Sequence, residues 1–297
     1  MPGDAVTISS SILARIAGAL GLEPGALGPL RAVGGGSINE AGRLETARGP
    51  VFVKWHAAPP AGFFEAEADG LARLRPHLPV PDVLAVFADA LVLSWCEPWP
   101  GRAPSASHAD AGRALARLHQ VAGPHFGLER ENFVGLVPQS NVPVTPPTFA
   151  AFFRERRLAP LAEGLPTRLR AALDRLPLEA LLTEPPHPAL VHGDLWAGNL
   201  LHARSGPVFI DPAVHYGHPE ADLAMTRLFG GFPPEFYAAY AEGSAGRTRF
   251  DAALEARLEV LNLYPLLVHV RLFGASYLGQ VEAVLRRYAP GGLGAGR

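Results

Sequence analysis

The segment between residues 189 and 211 constrains the fold more than any other part of the chain. An apolar run ending at Val191 leads into His192-Gly193-Asp194-Leu195-Trp196-Ala197-Gly198-Asn199, and a second run, Val208-Phe209-Ile210, ends on Asp211. Asp194 and Asn199 are five residues apart on one loop, and Asp211 follows twelve residues later at the end of a short strand. Such a pattern needs a scaffold that brings a loop and a strand end together around three oxygen-bearing side chains.

That oxygen set suits phosphoryl transfer. The reaction needs a carboxylate to orient an attacking hydroxyl and accept its proton, and oxygen ligands to hold metal on the phosphates. The HRDxxxxN loop and metal-binding aspartate of protein kinases run in the same order with the same five-residue step. Asp194 is therefore read as the base, and Asn199 and Asp211 as metal ligands. His192 is read as a support of the loop, and Asp222 as its anchor. Trp196, beside Asp194, is read either as a ring against the substrate or as core. His215 and His218 lack a cysteine or tight histidine cluster, so structural roles are favoured, with His215 kept as a substrate-side candidate.

Two upstream elements fit the same chemistry. Gly34-Gly35-Gly36-Ser37 forms a Gly-rich turn in which backbone N–H groups can approach phosphates. It is not a P-loop, since no lysine follows it directly. The short β-branched run Val51-Phe52-Val53 then ends on Lys54, the single lysine among 26 lysines and arginines. A position that keeps a compact ammonium where arginine is used everywhere else fits a task that a planar guanidinium cannot do. A buried lysine needs a carboxylate. Over residues 62–75 the helical period puts Glu67 on the face of Phe63, Leu71 and Leu74 and turns Glu65 away, so Glu67 is the expected partner. Ser94 and Cys96 leave the last strand of this region, where an adenine would meet backbone groups.

The chain divides by pattern. Residues 28–95 read as strand-rich, with strands at 51–54, 82–87 and 90–95 and a helix at 62–75. Pro98, Pro100 and Gly101 break the pattern, which places a boundary between lobes 1–97 and 98–297. From about 105 onward the chain reads as mostly helical, with helices near 111–121, 148–163, 167–182 and over 218–289, short strands at 189–192 and 207–210, and an irregular Pro-rich loop at 135–148. Ile8, Ile12, Leu13, Ile16 and Leu20 fall at helical spacing near the N-terminus, with no basic region ahead of them. The expectation there is an amphipathic helix and not a signal peptide.

Composition narrows the classes. No apolar run reaches the ~18 residues of a membrane span. A net charge of −2 with scattered arginines leaves no basic footprint for nucleic acid. Arg154, Arg156 and Arg157 are expected on a helix face. Cys96 is the sole cysteine, so no internal disulfide or cysteine-based zinc site is possible, which fits a reducing, cytoplasmic setting.

With these residues in view, the chain resembles the fructosamine kinase (ketosamine kinase) family, relatives of the aminoglycoside phosphotransferases. The strings that carry the resemblance are GGGSINEAGRLETARGPVFVKWH, FFEAEADGLARL, NFVGLVPQSN, FFRERRL, HGDLWAGNLL, VFIDPAVHYGHPEADLAMTRLFGGF and LYPLLVHVRLFGASYL. It implies an α+β, two-lobed protein-kinase-like fold with a β-rich N-lobe and a mainly helical C-lobe. It implies ATP and Mg²⁺ as cofactors and phosphorylation of O3 of a ketosamine, free or on protein, whose adduct then releases its amine. Lys54 and Glu67 would be the nucleotide ion pair. Ser94 stands at a hinge position often acidic in relatives, Phe149 where tryptophan is expected, and Pro265 and Val268 where polar residues are usual. Ser37 replaces the cysteine of eukaryotic relatives, which removes redox control at that position. Two other classes remain open: an aminoglycoside-type kinase, which would present an acidic pocket, and a nucleotide-binding pseudokinase, which would not keep the full polar set. The sequence sets no oligomeric state.

Overall fold

A computed structural model describes residues 8–34, 39–244, 248, 250–291 and 293. Helix α1 (Ser10–Ala19) is followed by strands β1 (Leu27–Ala32), β2 (Glu40–Thr46) and β3 (Val51–Trp55), helix α2 (Phe63–Leu74), and strands β4 (Val83–Val86) and β5 (Ala90–Ser94). The five strands form one antiparallel sheet in the order β1-β2-β3-β5-β4. Its central strands are covered on both faces. Val51, Val53 and Trp55 pack with Ala90 and Val92 against Ile12 and Ile16 of α1. The alternate residues Leu91 and Leu93, with Phe52, pack against Phe63, Phe64 and Leu71 of α2. The period-2 alternation of β3 thus sends Lys54 to the α2 side.

The rest of the chain surrounds a larger core. Helix α3 (Ser105–Leu118) precedes a small hairpin of β6 (Asn132–Val134) and β7 (Val137–Gln139). A helical stretch follows as α4 (Phe149–Phe152), a π-helical turn over Phe153–Leu158, and α5 (Ala159–Ala162). Then come α6 (Thr167–Asp174) and α7 (Leu178–Leu181), where one helix over 167–182 was expected. The break falls at Pro177, which cannot donate within a helix. Strand β8 (Ala189–Val191) enters the HGD loop, β9 (Leu200–Ala203) and β10 (Gly206–Phe209) form a hairpin that ends before Asp211, and β11 (His215–Gly217) pairs back on β8. Helices α8 (Pro219–Leu228), α9 (Pro234–Gly243), α10 (Leu254–Leu261), α11 (Leu263–Phe273) and α12 (Leu278–Tyr288) complete the chain. The Pro-rich stretch 135–148 contains β7, so it is not wholly irregular.

The N-terminal helix is amphipathic as expected, with Ile12 and Ile16 buried and the Ser9 hydroxyl accepting the Ile12 N–H as an N-cap. No helix among the described residues is long and apolar enough to cross a membrane. The architecture is the α+β, two-lobed kinase-like fold, with a five-stranded sheet leading into a mainly helical lobe.

Candidate active site

Three elements meet in one cleft. β3 supplies Lys54, α2 supplies Glu67, and the segment after β10 supplies Asp211. The Lys54 ammonium donates to both Glu67 oxygens, at 3.1 and 3.0 Å, and to Asp211 Oδ1 at 2.9 Å. Lys54 and Glu67 are 7% and 8% exposed, so the pair is largely out of water. Burial alone would lower the Lys54 pKa, but the Asp211 and Glu67 charges outweigh it and hold the ammonium charged well above its usual range. Burial pushes the Glu67 carboxyl up, against the pull of Lys54 and with the push of Asp211. Two carboxylates sharing one ammonium leave excess negative charge at Asp211, whose side chain is 40% exposed.

The HGD loop is built by backbone bonds. Asp222, near the start of α8, accepts the His192 N–H at 2.7 Å and the Gly193 N–H at 2.8 Å. His119 Nε2 donates to the same carboxylate at 3.1 Å, and the chain continues through the Tyr240 and Thr248 hydroxyls at 2.7 and 2.9 Å. Burial would raise the Asp222 pKa, but these donors outweigh it and hold the carboxyl below its usual range. His192 Nε2 donates to the Ile210 carbonyl at 3.0 Å, tying the loop to the strand end before Asp211. Gly193 has φ +83°, and a Cβ there would run into the Ala213 carbonyl oxygen, so only glycine lets the loop pass this close. Asp211 is the one described non-glycine residue with positive φ, at 53°. Its backbone is turned into a sparsely populated region of the kind that clusters at working sites.

Within this frame Asn199 Nδ2 donates to the Asp194 carbonyl at 2.7 Å and to Asp194 Oδ2 at 3.2 Å. With Nδ2 engaged, Oδ1 is the atom Asn199 has left to offer a cation. Asp194 lines a cavity of about 40 Å³ with Arg157, His215 and Tyr264. Burial, then the charge of Asp211, pushes the Asp194 carboxyl up to about 7, a range suited to taking a proton near neutrality. Asp211 and Asn199 present hard oxygen donors of the kind Mg²⁺ takes, and the excess negative charge at Asp211 fits a divalent cation. Among the described residues no group of three or more His, Cys, Asp or Glu forms a metal cage. A Mg²⁺ that draws most of its ligands from phosphates and water does not need one.

The remaining expected residues are placed less centrally. Gly34 follows β1, while Gly35, Gly36 and Ser37 lie outside the described residues. The Ser94 hydroxyl accepts the Asp82 N–H at 2.8 Å, and Cys96 is a free, half-buried thiol whose pKa burial pushes up. Trp196 folds back over Gly198 and stands edge-on to Phe229, ring centres 6.4 Å apart. His215 is buried, donates to the Ala213 carbonyl at 3.1 Å, and is held neutral by burial, its pKa lowered to about 3. His218 caps α8 by accepting the Glu220 N–H at 3.0 Å.

The arginine run departs from its expected place on a helix face. Arg154 turns to the Leu176 carbonyl at 2.8 Å and Arg156 to the Val142 carbonyl at 2.8 Å, but Arg157 is 2% exposed. It lies within the π-helical turn, between the Phe152 and Tyr264 rings.

Asn132, Gln139 and Asn141 were quoted only within a family string, and the structure gives them work. Asn132 Nδ2 donates to the Val214 carbonyl at 2.7 Å and Gln139 Nε2 to the Ala213 carbonyl at 3.2 Å. Asn132 Oδ1 accepts from Gln139 at 2.8 Å and from Asn141 at 2.9 Å. This buried network holds the backbone just after Asp211. The signal for it is the pair Asn132 and Gln139 bracketing the apolar run 133–138 across a tight hairpin.

The fructosamine kinase family model matches residues 23–289. A protein named "Probable ketoamine kinase" from Thermus thermophilus is 38% identical over 267 residues, covering 87% of this chain and 93% of its own. One of the same name from Enterococcus faecium is 36% identical over 269 residues, covering 86% and 93%. A solved structure from Thermobifida fusca, named "putative fructosamine-3-kinase", is 33% identical with a TM-score of 0.81, covering 94% and 98%. The aminoglycoside phosphotransferase APH(4)-Ia shares the fold, with a TM-score of 0.57 at 17% identity. A match over this much of the chain, on a cleft that gathers Lys54, Glu67, Asp194, Asn199 and Asp211, means that the chain belongs to the fructosamine kinase family and is an ATP-dependent phosphotransferase.

Proposed function

We propose that the protein phosphorylates the O3 hydroxyl of a ketosamine and so starts its deglycation. The observation that carries this reading is the Asp194 carboxyl, held by Asn199 and bordering a cavity, in a chain of the fructosamine kinase family. In this reading residues 1–97 hold the nucleotide and residues 98–297 hold the sugar. Asp194 orients the sugar hydroxyl and takes its proton. The hydroxyl oxygen forms a bond to the γ-phosphorus of ATP as the bond to the β,γ-bridging oxygen breaks and ADP leaves. Lys54, held by Glu67, presents a point charge toward the phosphates. Asp211 and Asn199 would hold Mg²⁺, which supplies charge neutralisation when bound. The phosphate at C3 then leaves from the 1,2-enaminol of the product, and hydrolysis of the resulting imine frees the amine.

The test is a panel of ketosamines and aminoglycosides incubated with ATP and Mg²⁺, with the phosphate position mapped by NMR. The expected result is phosphorylation at O3 of ketosamines alone. Phosphorylation of an aminoglycoside with no turnover of any ketosamine would overturn the reading.

A further inference from the structure

Arg157 is a buried cation without a carboxylate. Its Nη1 donates to the Ser140 carbonyl at 2.5 Å and the Arg156 carbonyl at 3.3 Å, and its Nη2 to Asn141 Oδ1 at 2.8 Å. Its Nε is buried and has no partner in the structure. A buried, unsatisfied donor is costly, more so on a charged group. The side chain reaches this place through a π-helical turn, an irregularity frequent at functional sites. It lines the same cavity as Asp194, and the other residues there are mostly apolar or aromatic, including Phe152, Met225, Leu261 and Tyr264.

The size of the cavity limits its occupant. About 40 Å³ admits about three water-sized groups, enough for the end of a sugar and not for a bulky amine substituent. On the ketosamine reading, on which this inference rests, the amine end carries a bulky group and has to face solvent. The reacting hydroxyl has to sit at Asp194. The part of the sugar left to enter the cavity beside Asp194 is the end beyond C3, remote from the amine.

We propose that Arg157 is a specificity-determining residue that donates a hydrogen bond to a hydroxyl oxygen at the remote end of the sugar. A guanidinium suits this task because it donates in a fixed plane and never accepts, so it selects an oxygen over a methyl. The sandwich between Phe152 and Tyr264, at 4.5 and 5.5 Å from the ring centres, fixes that plane. The bond from the Tyr264 hydroxyl to Gln139 at 2.9 Å links it to the network behind Asp211.

The experiment uses the full chain and ketosamines of one small amine, butylamine: the fructosyl compound and its 4-, 5- and 6-deoxy analogues. In the wild type, one analogue is expected to lose about 10- to 100-fold in kcat/KM, as befits one hydrogen bond from a charged donor. In Arg157→Met the same pair of substrates should differ by less than about threefold, with the change in KM and not in kcat. Arg157→Lys keeps the stem and the charge without the planar fork, and is expected to lower the same ratio if the Met variant does not fold. A merely structural role would reduce turnover of all the analogues equally and leave the ratio intact, and that result would overturn the proposal. So would a wild type that treats all the deoxy analogues like the parent. A wild type that phosphorylates none of these compounds would instead overturn the ketosamine reading and this proposal with it.

Discussion

Lys54 and Asp211 lie 157 residues apart in the chain, yet the Lys54 ammonium sits 2.9 Å from Asp211 Oδ1. The contact joins the sheet to the segment after β10 and gathers the polar set into one cleft. It also fixes what the lone lysine does. Lys54 is the common partner of two carboxylates, and Asp211 keeps an oxygen open to solvent on its exposed side.

Removing that ammonium should separate stability from activity. Lys54→Met leaves Glu67 buried without a counter-charge, and a loss of about 3–5 kcal/mol is expected in urea denaturation. Adding Glu67→Leu should recover most of the stability and none of the turnover. Lys54→Arg keeps a charge and should fold, but its longer planar head misplaces it, and turnover should fall at least about 10-fold. Wild-type kinetics in Lys54→Arg would show that no point charge is needed at this position.

Asp222 is expected to act on rate through the backbone. An amide in its place can accept one of the His192 and Gly193 N–H groups but turns its own donors toward the other. Asp222→Asn should lower kcat by roughly 10²-fold, the scale of a misplaced base, with little change in KM for ATP. Steady-state kinetics with ATP varied would decide it. An unchanged kcat would remove the carboxylate from control of the loop.

Gly112 tests the packing of the helical lobe. Alanine normally favours a helix over glycine by about 1 kcal/mol. In α3, however, a Cβ at Gly112 would run into the Phe236 carbonyl oxygen of α9. Gly112→Ala should therefore destabilise, by about 1–3 kcal/mol, against its propensity. A higher Tm in this variant would show that α3 and α9 do not approach so closely.

The two buried histidines should each contribute stability that is lost below neutrality. Burial holds His215 and His218 near 3 in the fold, whereas the unfolded chain takes up protons near 6.5. The unfolded state thus binds more protons as pH drops below 6.5, and stability that is full above that value is lost progressively down to about 3. The raised Asp194 and Glu67 carboxyls take up protons in the fold over the same range and act in the opposite sense, so the test is a difference between proteins: on going from pH 7 to 5, Tm of the variant with His218 exchanged for asparagine, which can still cap α8, should shift less toward destabilisation than Tm of the wild type. An identical pH dependence of Tm in the two proteins would contradict the neutral, buried state of His218.

Much of the site was legible because it is local. Asp194, Asn199 and Asp211 announce themselves by spacing, and helical phase alone turns Glu67 rather than Glu65 toward Lys54. The supports were not legible because they are made across long separations. His119 reaches Asp222 over 103 residues, and Tyr264 reaches Gln139 over 125. The burial of Arg157 was not legible because an arginine in a polybasic run is ordinarily solvated, and nothing in FFRERRL signals a π-helical turn. The three-residue strands β6, β7 and β11 are too short to show a period, and exist because the backbone beside them offers partners. Leu178–Leu181 separated from Thr167–Asp174 because Pro177 interrupts a continuous apolar pattern.

The central claim is that Asp194 takes the proton from O3 of a ketosamine. Its most direct test is NMR of the product formed from a fructosyl amine and ATP with Mg²⁺, run in parallel for the wild type and Asp194→Asn. The wild type should yield a phosphate on O3. The variant should bind ATP with unchanged affinity and form the same product roughly 10²–10⁴-fold more slowly. Phosphate on another hydroxyl, or undiminished turnover in Asp194→Asn, would contradict the account.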